Sequence, residues 1–368
     1  MVGLTIAVSA IVVLIIVVIV FMQQTKFGRT PKGERLTRVK QSPHFKKNKF
    51  ENISYTPDLT DGATIPKIMK EFFFAKNPNL KPKTKLPSRK MDLHNLDKTK
   101  NVLVWFGHSS YFLQVDGKRF LVDPVLSGAA SPIKFTTKSF NGSDVYSVND
   151  IPEIDYLMIT HDHWDHLDYE TVIKLKPKIK KVITSLGVGE HLERWKFDKK
   201  MIIETHWNDE TDLENDFKII TKTARHFSGR GFKRAQALWS SFVLISPSQK
   251  IYIGGDSGYD SHFKEIGNEF GSFDLVILEC GQYNRYWKHI HMMPEETVQA
   301  AIDLNATKLL PVHWAKFSLA MHDWDDSIKR VVAAANESKM PILTPMIGEA
   351  LLWNDDSKSY KKWWENVK

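Results

Sequence analysis

The sequence predicts a mixed α/β body of layered sheets covered by helices, preceded by one membrane-spanning helix. Three observations support this: an uncharged apolar N-terminal run, a segment rich in lysine and proline, and intermingled strand and helix patterns from residue 101 onward. Strand-rich stretches interspersed with helices favour sheets with helices packed on them. We therefore divide the chain into an anchor at 1–25, a juxtamembrane linker and docking segment at 26–100, and a body at 101–368.

The anchor is predicted from the stretch Val2–Met22, which contains no charged residue and is dense in valine and isoleucine. A helix of about 20 residues spans roughly 30 Å, the hydrocarbon thickness of a bilayer. A cleaved signal peptide is the alternative, but no Lys or Arg precedes the run and Val20–Gln23 is a poor cleavage site. We expect an uncleaved, single-pass anchor in the cell membrane.

Charge is distributed unevenly along the chain. Residues 26–100, here called the basic collar, hold 19 Lys and Arg against 7 Asp and Glu, whereas the body holds 32 against 36. Basic side chains beside an apolar helix indicate contact with anionic lipid headgroups and place the body on the cytoplasmic side. The slightly acidic body argues against a nucleic-acid partner. A homodimer is left open.

Within the basic collar, Ile65–Ala75 has the pattern of an amphipathic helix that ends in three phenylalanines. Two interpretations remain: a lid or membrane-contact element, or a helix whose apolar face packs on the body. The single cysteine, Cys280, excludes an internal disulfide and a cysteine-built zinc site.

Near the start of the body, Asp116-Gly117 is a strong hairpin turn that joins the strand patterns Tyr111–Val115 and Arg119–Val122. Further strands and helices follow from alternation and from helical periodicity. The predicted strands are Asn101–Phe106, Tyr111–Val115, Arg119–Val122, Tyr156–Thr160, Lys181–Thr184, Phe217–Thr223, Leu238–Ile245, Lys250–Gly254, Leu275–Leu278 and Lys308–Pro311. The predicted helices are Tyr169–Leu175, Gly187–Trp195, Pro294–Leu304 and Trp324–Glu337.

A dense cluster of histidine and aspartate, from His161 to His166, follows the predicted strand Tyr156–Thr160. Imidazole and carboxylate are suitable ligands for zinc or a related metal. His161 and His163 alternate and so point to one side of an extended turn, while Asp165 and His166 are available to a second ion nearby. A polar loop that happens to be rich in histidine is the alternative, but this spacing directly after a strand favours metal binding.

Three later residues complete a predicted site for two divalent ions, for which Zn²⁺ is our expectation. His226, Asp256 and His313 each come at or just after the end of a predicted strand. Strand ends are rigid positions at which ligands from distant parts of a chain converge. We therefore expect all three to bind metal together with the first cluster.

The H-x-H-x-D-H motif followed by a later His, Asp and His resembles the metallo-β-lactamase superfamily. This resemblance implies an αββα sandwich with the metals at the edge of the sheets. It implies His161, His163 and His226 as ligands of one metal, Asp165, His166 and His313 as ligands of the other, and Asp256 as the bridge between them.

A closer resemblance is to the family of phospholipases D that hydrolyse N-acylphosphatidylethanolamine. The stretches THDHWDHLD, GGDSGY, GQYNRYW, HMMPEETV and PVHWAKF occur in the order of that family, between Asn101 and Trp353. The resemblance implies a phosphodiesterase that attacks membrane phospholipids with a metal-bridging hydroxide and uses Asp165, Asp256 and His291 in catalysis. Met292-Met293 replaces an acidic residue of the mammalian enzyme, and the anchor is a second departure. Hydrolysis of a soluble lactone or small phosphodiester is the alternative function.

Other candidate residues surround this implied site. By resemblance, His291 would lie beside the scissile phosphate and protonate or polarise it, although a surface-loop histidine is the alternative. His289 is a weaker candidate, and His108 either lines the site or caps a strand. An aromatic cluster either lines an apolar substrate channel or belongs to the core: Tyr283, Tyr286 and Trp287.

Overall fold

A computed structural model of the protein describes residues 1–74 and 77–367. Its strands are β1 (Phe45–Lys46), β2 (Lys49–Phe50), β3 (Val102–Trp105), β4 (Tyr111–Val115), β5 (Lys118–Val122), β6 (Ile154–Ile159), β7 (Ile179–Ser185), β8 (Ile202–Thr205), β9 (Glu210–Asp212), β10 (Lys218–Lys222), β11 (Ser241–Ile245), β12 (Lys250–Ile253), β13 (Leu275–Glu279), β14 (Leu309–Val312) and β15 (Ala350–Leu351). Its α-helices are α1 (Val2–Met22), α2 (Gly33–Gln41), α3 (Ile65–Phe74), α4 (Tyr169–Leu175), α5 (Gly189–Arg194), α6 (His262–Phe270), α7 (Pro294–Asp303) and α8 (Asp326–Ser338).

Two large sheets form the body. One contains seven strands in the order β15-β3-β4-β5-β6-β7-β8, and the other contains six in the order β14-β13-β12-β11-β10-β9. The predicted turn joins β4 to β5, with Asp116 at φ 45° and Gly117 at φ 78°, the left-handed backbone of a tight hairpin. Strands β5 to β8 are parallel, as are β12 to β14. Parallel strands end at the same edge of their sheet, where ligands can collect.

The sheets and helices form four layers, as predicted. On β3, Leu103 and Trp105 belong to the core shared by both sheets, whereas Val102 and Val104 pack towards α4 and α5. Helices α6, α7 and α8 contribute to the core on the side of the six-stranded sheet. Each such buried side chain contributes about 1.5–3 kcal/mol of hydrophobic stabilisation. The predicted strands and helices of the body are all present, with ends displaced by at most three residues.

Helix α1 extends away from the body, and none of its residues is buried. Its length and composition suffice to cross a membrane, although a signal sequence meets the same criterion. In the described parts of the chain it is the one helix with these properties. The predicted anchor therefore forms as a continuous helix.

The first part of the basic collar is fastened to the body directly after α1. The indole nitrogen of Trp195 donates to the carbonyl of Thr25 over 2.7 Å, and Arg230 donates to the carbonyl of Lys26 over 3.0 Å. On α2, the guanidinium of Arg35 contacts three glutamates of the body: Glu190, Glu193 and Glu204. The division into anchor, basic collar and body remains a prediction.

Helix α3 forms where the amphipathic pattern predicts it, although Ala75 lies outside the described residues. The Tyr286 hydroxyl donates to Glu71 over 2.9 Å, which attaches the helix to the body. Its apolar side chains are nevertheless exposed, with 67% of Ile65, 52% of Met69 and 77% of Phe74 accessible to solvent. Thus α3 touches the body yet leaves an apolar surface uncovered.

Candidate metal centre

Buried histidines and aspartates concentrate where strands from both sheets end. The segment His161–His166 follows β6 of one sheet. His226, Asp256 and His313 follow β10, β12 and β14 of the other. The structure thus brings all seven predicted ligands into one cluster at the edge of the sandwich, and their individual roles remain predictions.

One group of ligands consists of three imidazoles. His163 Nδ1 lies 3.0 Å from His161 Nε2 and 3.2 Å from His226 Nε2. The Asp256 carboxylate oxygen Oδ2 is 3.9 Å from His161 and 3.8 Å from His226. Three ring nitrogens within 4.8 Å of one another, with a carboxylate oxygen beside them, are the donor types of a zinc site.

A second group lies on the other side of Asp256. It contains His166, whose Nε2 is 3.1 Å from Asp256 Oδ2 and 3.5 Å from Asp165 Oδ2. His313 Nδ1 is 3.3 Å from Asp256 Oδ1. Asp256 therefore lies between the two groups, in the position that the resemblance implies for a bridging ligand.

The donor atoms fit divalent metal ions. Among the described residues, His166 Nε2 and Asp256 Oδ1 are buried and have close neighbours but no hydrogen bond of suitable geometry, although buried polar atoms are normally paired. Burial, together with the neighbouring His166 and His163, holds the pKa of His161 well below its usual value. The ring is therefore neutral, which is the form that binds metal. Three buried carboxylates nearby, of Asp123, Asp165 and Asp256, provide charge that cations would neutralise.

Several supporting residues escaped the sequence analysis. The Asp123 carboxylate accepts a hydrogen bond from His166 Nδ1 over 2.8 Å and another from the Thr160 hydroxyl over 2.6 Å. His108, an open candidate in the sequence, contacts Asp165 over 2.8 Å and therefore lines the site. Such partners orient metal ligands and fix the histidine tautomer. The position of Asp123 just after β5, next to β6 in the sheet, is the signal that would have identified it.

We predict that Asp123→Asn lowers metal affinity by about 10- to 100-fold, the usual effect of losing a partner of a ligand. The amide cannot hold His166 as a carboxylate does. Competition with a chromogenic chelator would measure the affinity. Asp356→Asn, at an exposed position, is the matched control, and equal affinities of both variants would contradict the prediction.

A cavity of about 410 Å³, here called the site cavity, opens beside the two ligand groups. This volume is typical of small-molecule sites. Of the predicted aromatic cluster, Trp287 lines the site cavity, whereas Tyr283 and Tyr286 are buried in the body. The apolar part of its lining consists of Leu59, Ile65, Phe227, Trp287, Ile290 and Leu319.

His291 lines the site cavity beside the predicted ligands, whereas His289 is not among its described lining residues. The His291 ring stacks on that of His313 with centroids 5.3 Å apart, and its Nδ1 lies 3.0 Å from the buried Glu279 carboxylate. Burial opposes protonation of His291, but Glu279 outweighs it and raises the pKa to about 9. Glu279 was not identified in the sequence, because nothing in its local pattern distinguishes it from a residue ending a buried strand.

Comparison with known proteins places the fold in a family. A family model described as "Beta-lactamase superfamily domain" matches residues 118–314. An uncharacterized protein of Mycobacterium tuberculosis is 34% identical over 313 residues, 84% of each chain. The N-acyl-phosphatidylethanolamine-hydrolyzing phospholipase D 1 of Caenorhabditis elegans is 28% identical over 256 residues, covering 64% of this chain and 70% of that protein.

Among solved structures, Igni18, a metallo hydrolase from Ignicoccus hospitalis, superimposes with a TM-score of 0.53 at 19% identity. The match covers 68% of this chain and 97% of that one. This likeness supports the fold, independently of the ligand motif. On the matched domain and the cluster of candidate ligands, the chain belongs to the metallo-β-lactamase superfamily and is a metal-dependent hydrolase of that superfamily.

Proposed function

We propose that the protein is a membrane-anchored phosphodiesterase of the phospholipase D type, acting on N-acylphosphatidylethanolamine or a similar phospholipid with two divalent ions, expected to be Zn²⁺. The observation that carries the proposal is the site cavity, which joins a predicted two-metal centre to an apolar wall. The name of the Caenorhabditis elegans relative supports the same substrate class. The anchor would hold the body at the cytoplasmic face of the cell membrane.

The lining of the site cavity suits an amphiphilic diester. Arg234 stacks over Phe227 at 3.9 Å and forms an exposed ion pair with Asp58 over 3.5 Å. A substrate phosphate would compete with Asp58 for this cation. The opposite character comes from Leu59, Ile65 and Trp287, which offer apolar contact to acyl chains. Ile65 is also the first residue of α3. The exposed apolar surface of α3 therefore continues outward from the wall of the site cavity. A soluble diester would use the cation but not this surface.

The chemistry follows from the positions of a few side chains. Two divalent ions, when bound, supply a water of lowered pKa and positive charge towards the phosphoryl oxygens. Asp256 would hold both ligand groups together, and His108 would fix the orientation of Asp165. His291 contacts Glu279 through Nδ1, which leaves Nε2 to donate a proton to the alkoxide of the departing N-acylethanolamine.

We predict that His291→Gln lowers kcat about 10²-fold, the usual contribution of a general acid. Metal content should be unchanged, because His291 is proposed to act on substrate rather than as a ligand. Steady-state kinetics and elemental analysis would measure the two effects. His289→Gln is the control two residues away; loss of metal from His291→Gln would instead identify this residue as a ligand.

The exposed surface of α3 gives a second prediction. Changing Met69 and Phe74 together to serine should reduce hydrolysis of lipid in vesicles about tenfold, because apolar area no longer enters the membrane surface. Hydrolysis of soluble bis(p-nitrophenyl) phosphate should not change. The pair of leucine substitutions at the same positions is the matched control, and equal losses on both substrates would indicate a packing role for α3.

The decisive experiment is hydrolysis of N-acylphosphatidylethanolamine and phosphatidylethanolamine by the full chain in mixed micelles, with products identified by mass. We expect phosphatidic acid and N-acylethanolamine, formed with about two metal ions per chain. Asp256→Asn should form neither product. A fully metallated protein that cleaves no phospholipid would overturn the proposal and direct attention to soluble lactones and phosphodiesters.

A further inference from the structure

A second cavity, of about 300 Å³, lies at the base of α1 between the basic collar and the body. None of the residues that line it also lines the site cavity. We propose that this base cavity binds the headgroup of an anionic phospholipid from the surrounding bilayer. The inference goes beyond the proposed hydrolysis and depends only on α1 spanning a membrane.

Positive charge dominates the lining of the base cavity. Arg29, Arg230 and Lys233 line it, against the single carboxylate of Asp162. Arg29 is paired with the buried Glu190, which is not part of the lining, so Arg230 and Lys233 provide the excess charge. Both oxygens of the Asp162 carboxylate already have partners. One accepts a hydrogen bond from the Gly229 amide over 2.6 Å, and the other contacts the imidazole of His191 on α5 over 3.0 Å. The cavity therefore has a surplus of cations, which favours an anionic ligand.

Two of these cations have unused binding capacity. Arg230 is only 4% exposed, and its Nε has no hydrogen-bond partner among the described residues. The guanidinium lies 3.8 Å from the ring centroid of Trp164, which keeps it in place. Lys233 forms no hydrogen bond or ion pair with any residue in 1–74 or 77–367, and lies on the exposed loop after β10. A phosphate in the base cavity could contact both the buried guanidinium of Arg230 and the exposed amine of Lys233.

Apolar residues surround the mouth of the base cavity. Met22, the last residue of α1, and Phe27 line it, together with Phe232, which is 83% exposed. A Cβ atom added to Gly231 would lie 2.7 Å from Cε of Met22, so this loop touches the end of the anchor. Exposed apolar side chains beside a spanning helix are expected to enter the membrane interface.

A second loop extends the same apolar rim. Lys26 donates to the carbonyl of Pro132 over 2.7 Å, and Phe135, three residues further along the same loop, is 77% exposed. The mouth of the base cavity therefore lies at the depth of lipid headgroups when α1 spans the bilayer. A free phosphate ion would use the cations alone, whereas a phospholipid would use both the cations and the apolar rim. The presence of both cations and an apolar rim therefore favours a phospholipid over free phosphate as the ligand.

The test uses the full chain in nanodiscs of phosphatidylcholine, with and without phosphatidylglycerol. Native mass spectrometry after release into detergent would count retained phosphatidylglycerol. We expect wild type to retain this lipid, and Lys233→Glu to lower retention at least about tenfold, because a basic group beside the headgroups becomes acidic. Thr30→Trp, at an exposed position that lines the base cavity, should have the same effect by filling it.

Lys264→Glu, an identical charge change on the exposed face of α6, is the matched control and should retain the lipid. All variants should hydrolyse bis(p-nitrophenyl) phosphate at the wild-type rate, so that a failure of the proposed phosphodiesterase is seen separately. Equal retention by Lys233→Glu and wild type would overturn the inference. So would displacement of the lipid by inorganic phosphate, or a chain that does not enter nanodiscs.

Discussion

Replacing Asp256 with asparagine is expected to lower kcat/KM by at least ~10³-fold, the largest effect of any single substitution in this chain. Asp256 Oδ2 lies 3.1 Å from His166, and Oδ1 lies 3.3 Å from His313. Oδ2 is also within 4 Å of His161 and His226. An amide places a neutral group, with one oxygen in place of two, at the junction of both ligand groups. Initial rates on lipid and on a soluble diester would measure the loss.

The control is Asp303→Asn, on α7, which removes a carboxylate that accepts hydrogen bonds from Tyr259 and Gln299 and belongs to neither ligand group. Metal content per chain should fall in Asp256→Asn and stay at the wild-type value in Asp303→Asn. Full activity in a fully metallated Asp256→Asn would exclude a bridging role. Loss of activity on the lipid alone would likewise contradict it, because the bridge serves every substrate.

Replacing Arg35 with methionine is expected to destabilise the fold by about 3–5 kcal/mol, the usual cost of leaving buried charge without its partner. The guanidinium is 8% exposed and lies 2.7 Å from Glu190 and 2.8 Å from Glu204, whose side chains are 2% and 4% exposed. Burial opposes the charge of Arg35, but the carboxylates of Glu193, Glu204 and Glu190 outweigh it and hold the pKa above its usual value, so the group is a permanent cation. Urea denaturation in detergent would measure the change.

Lys199→Met provides the comparison, because Lys199 pairs with Glu34 at the surface, where water screens the charges. That variant should unfold at the wild-type urea concentration. Combining Arg35→Met with Glu204→Gln should cost less than the sum of the two single changes, since the second removes charge that the first leaves unpaired. Strict additivity would show that the contacts of Arg35 are energetically independent.

The cluster of candidate ligands could be predicted from the sequence because each member has a local signal. His161 to His166 form one unbroken motif after a strand, and His226, Asp256 and His313 each end a recognisable strand. Asp123 and Glu279 could not be predicted in the same way. Asp123 is 43 residues from the histidine that it orients, and only the parallel pairing of β5 with β6 brings the two together.

The basic collar shows the other limit of sequence reasoning. Its lysines and prolines predict a linker, yet Val39 and Phe50 are buried against Trp207 and Trp239 of the body. Arg35 is buried for the same reason, since its partner Glu190 lies 155 positions away. The local sequence around Arg35 does not indicate that three glutamates of the body surround it in the folded chain. Helix α6 was also missed, because it is only nine residues long and contains a glycine, Gly267.

The fastening of residues 25 to 35 to the body has a geometric consequence for catalysis. A flexible linker would let the body sample a range of distances from the membrane, and this range would grow with the length of the linker. Here Thr25 and Lys26 are hydrogen-bonded to the body as soon as α1 ends. With α1 in a bilayer, the body could not move away from the membrane surface. It would diffuse laterally with α1, and the opening of the site cavity would keep a fixed distance from the membrane and a fixed orientation. If the substrate is the phospholipid proposed above, hydrolysis would be confined to one leaflet, and its rate would be limited by lateral diffusion of lipids to the opening.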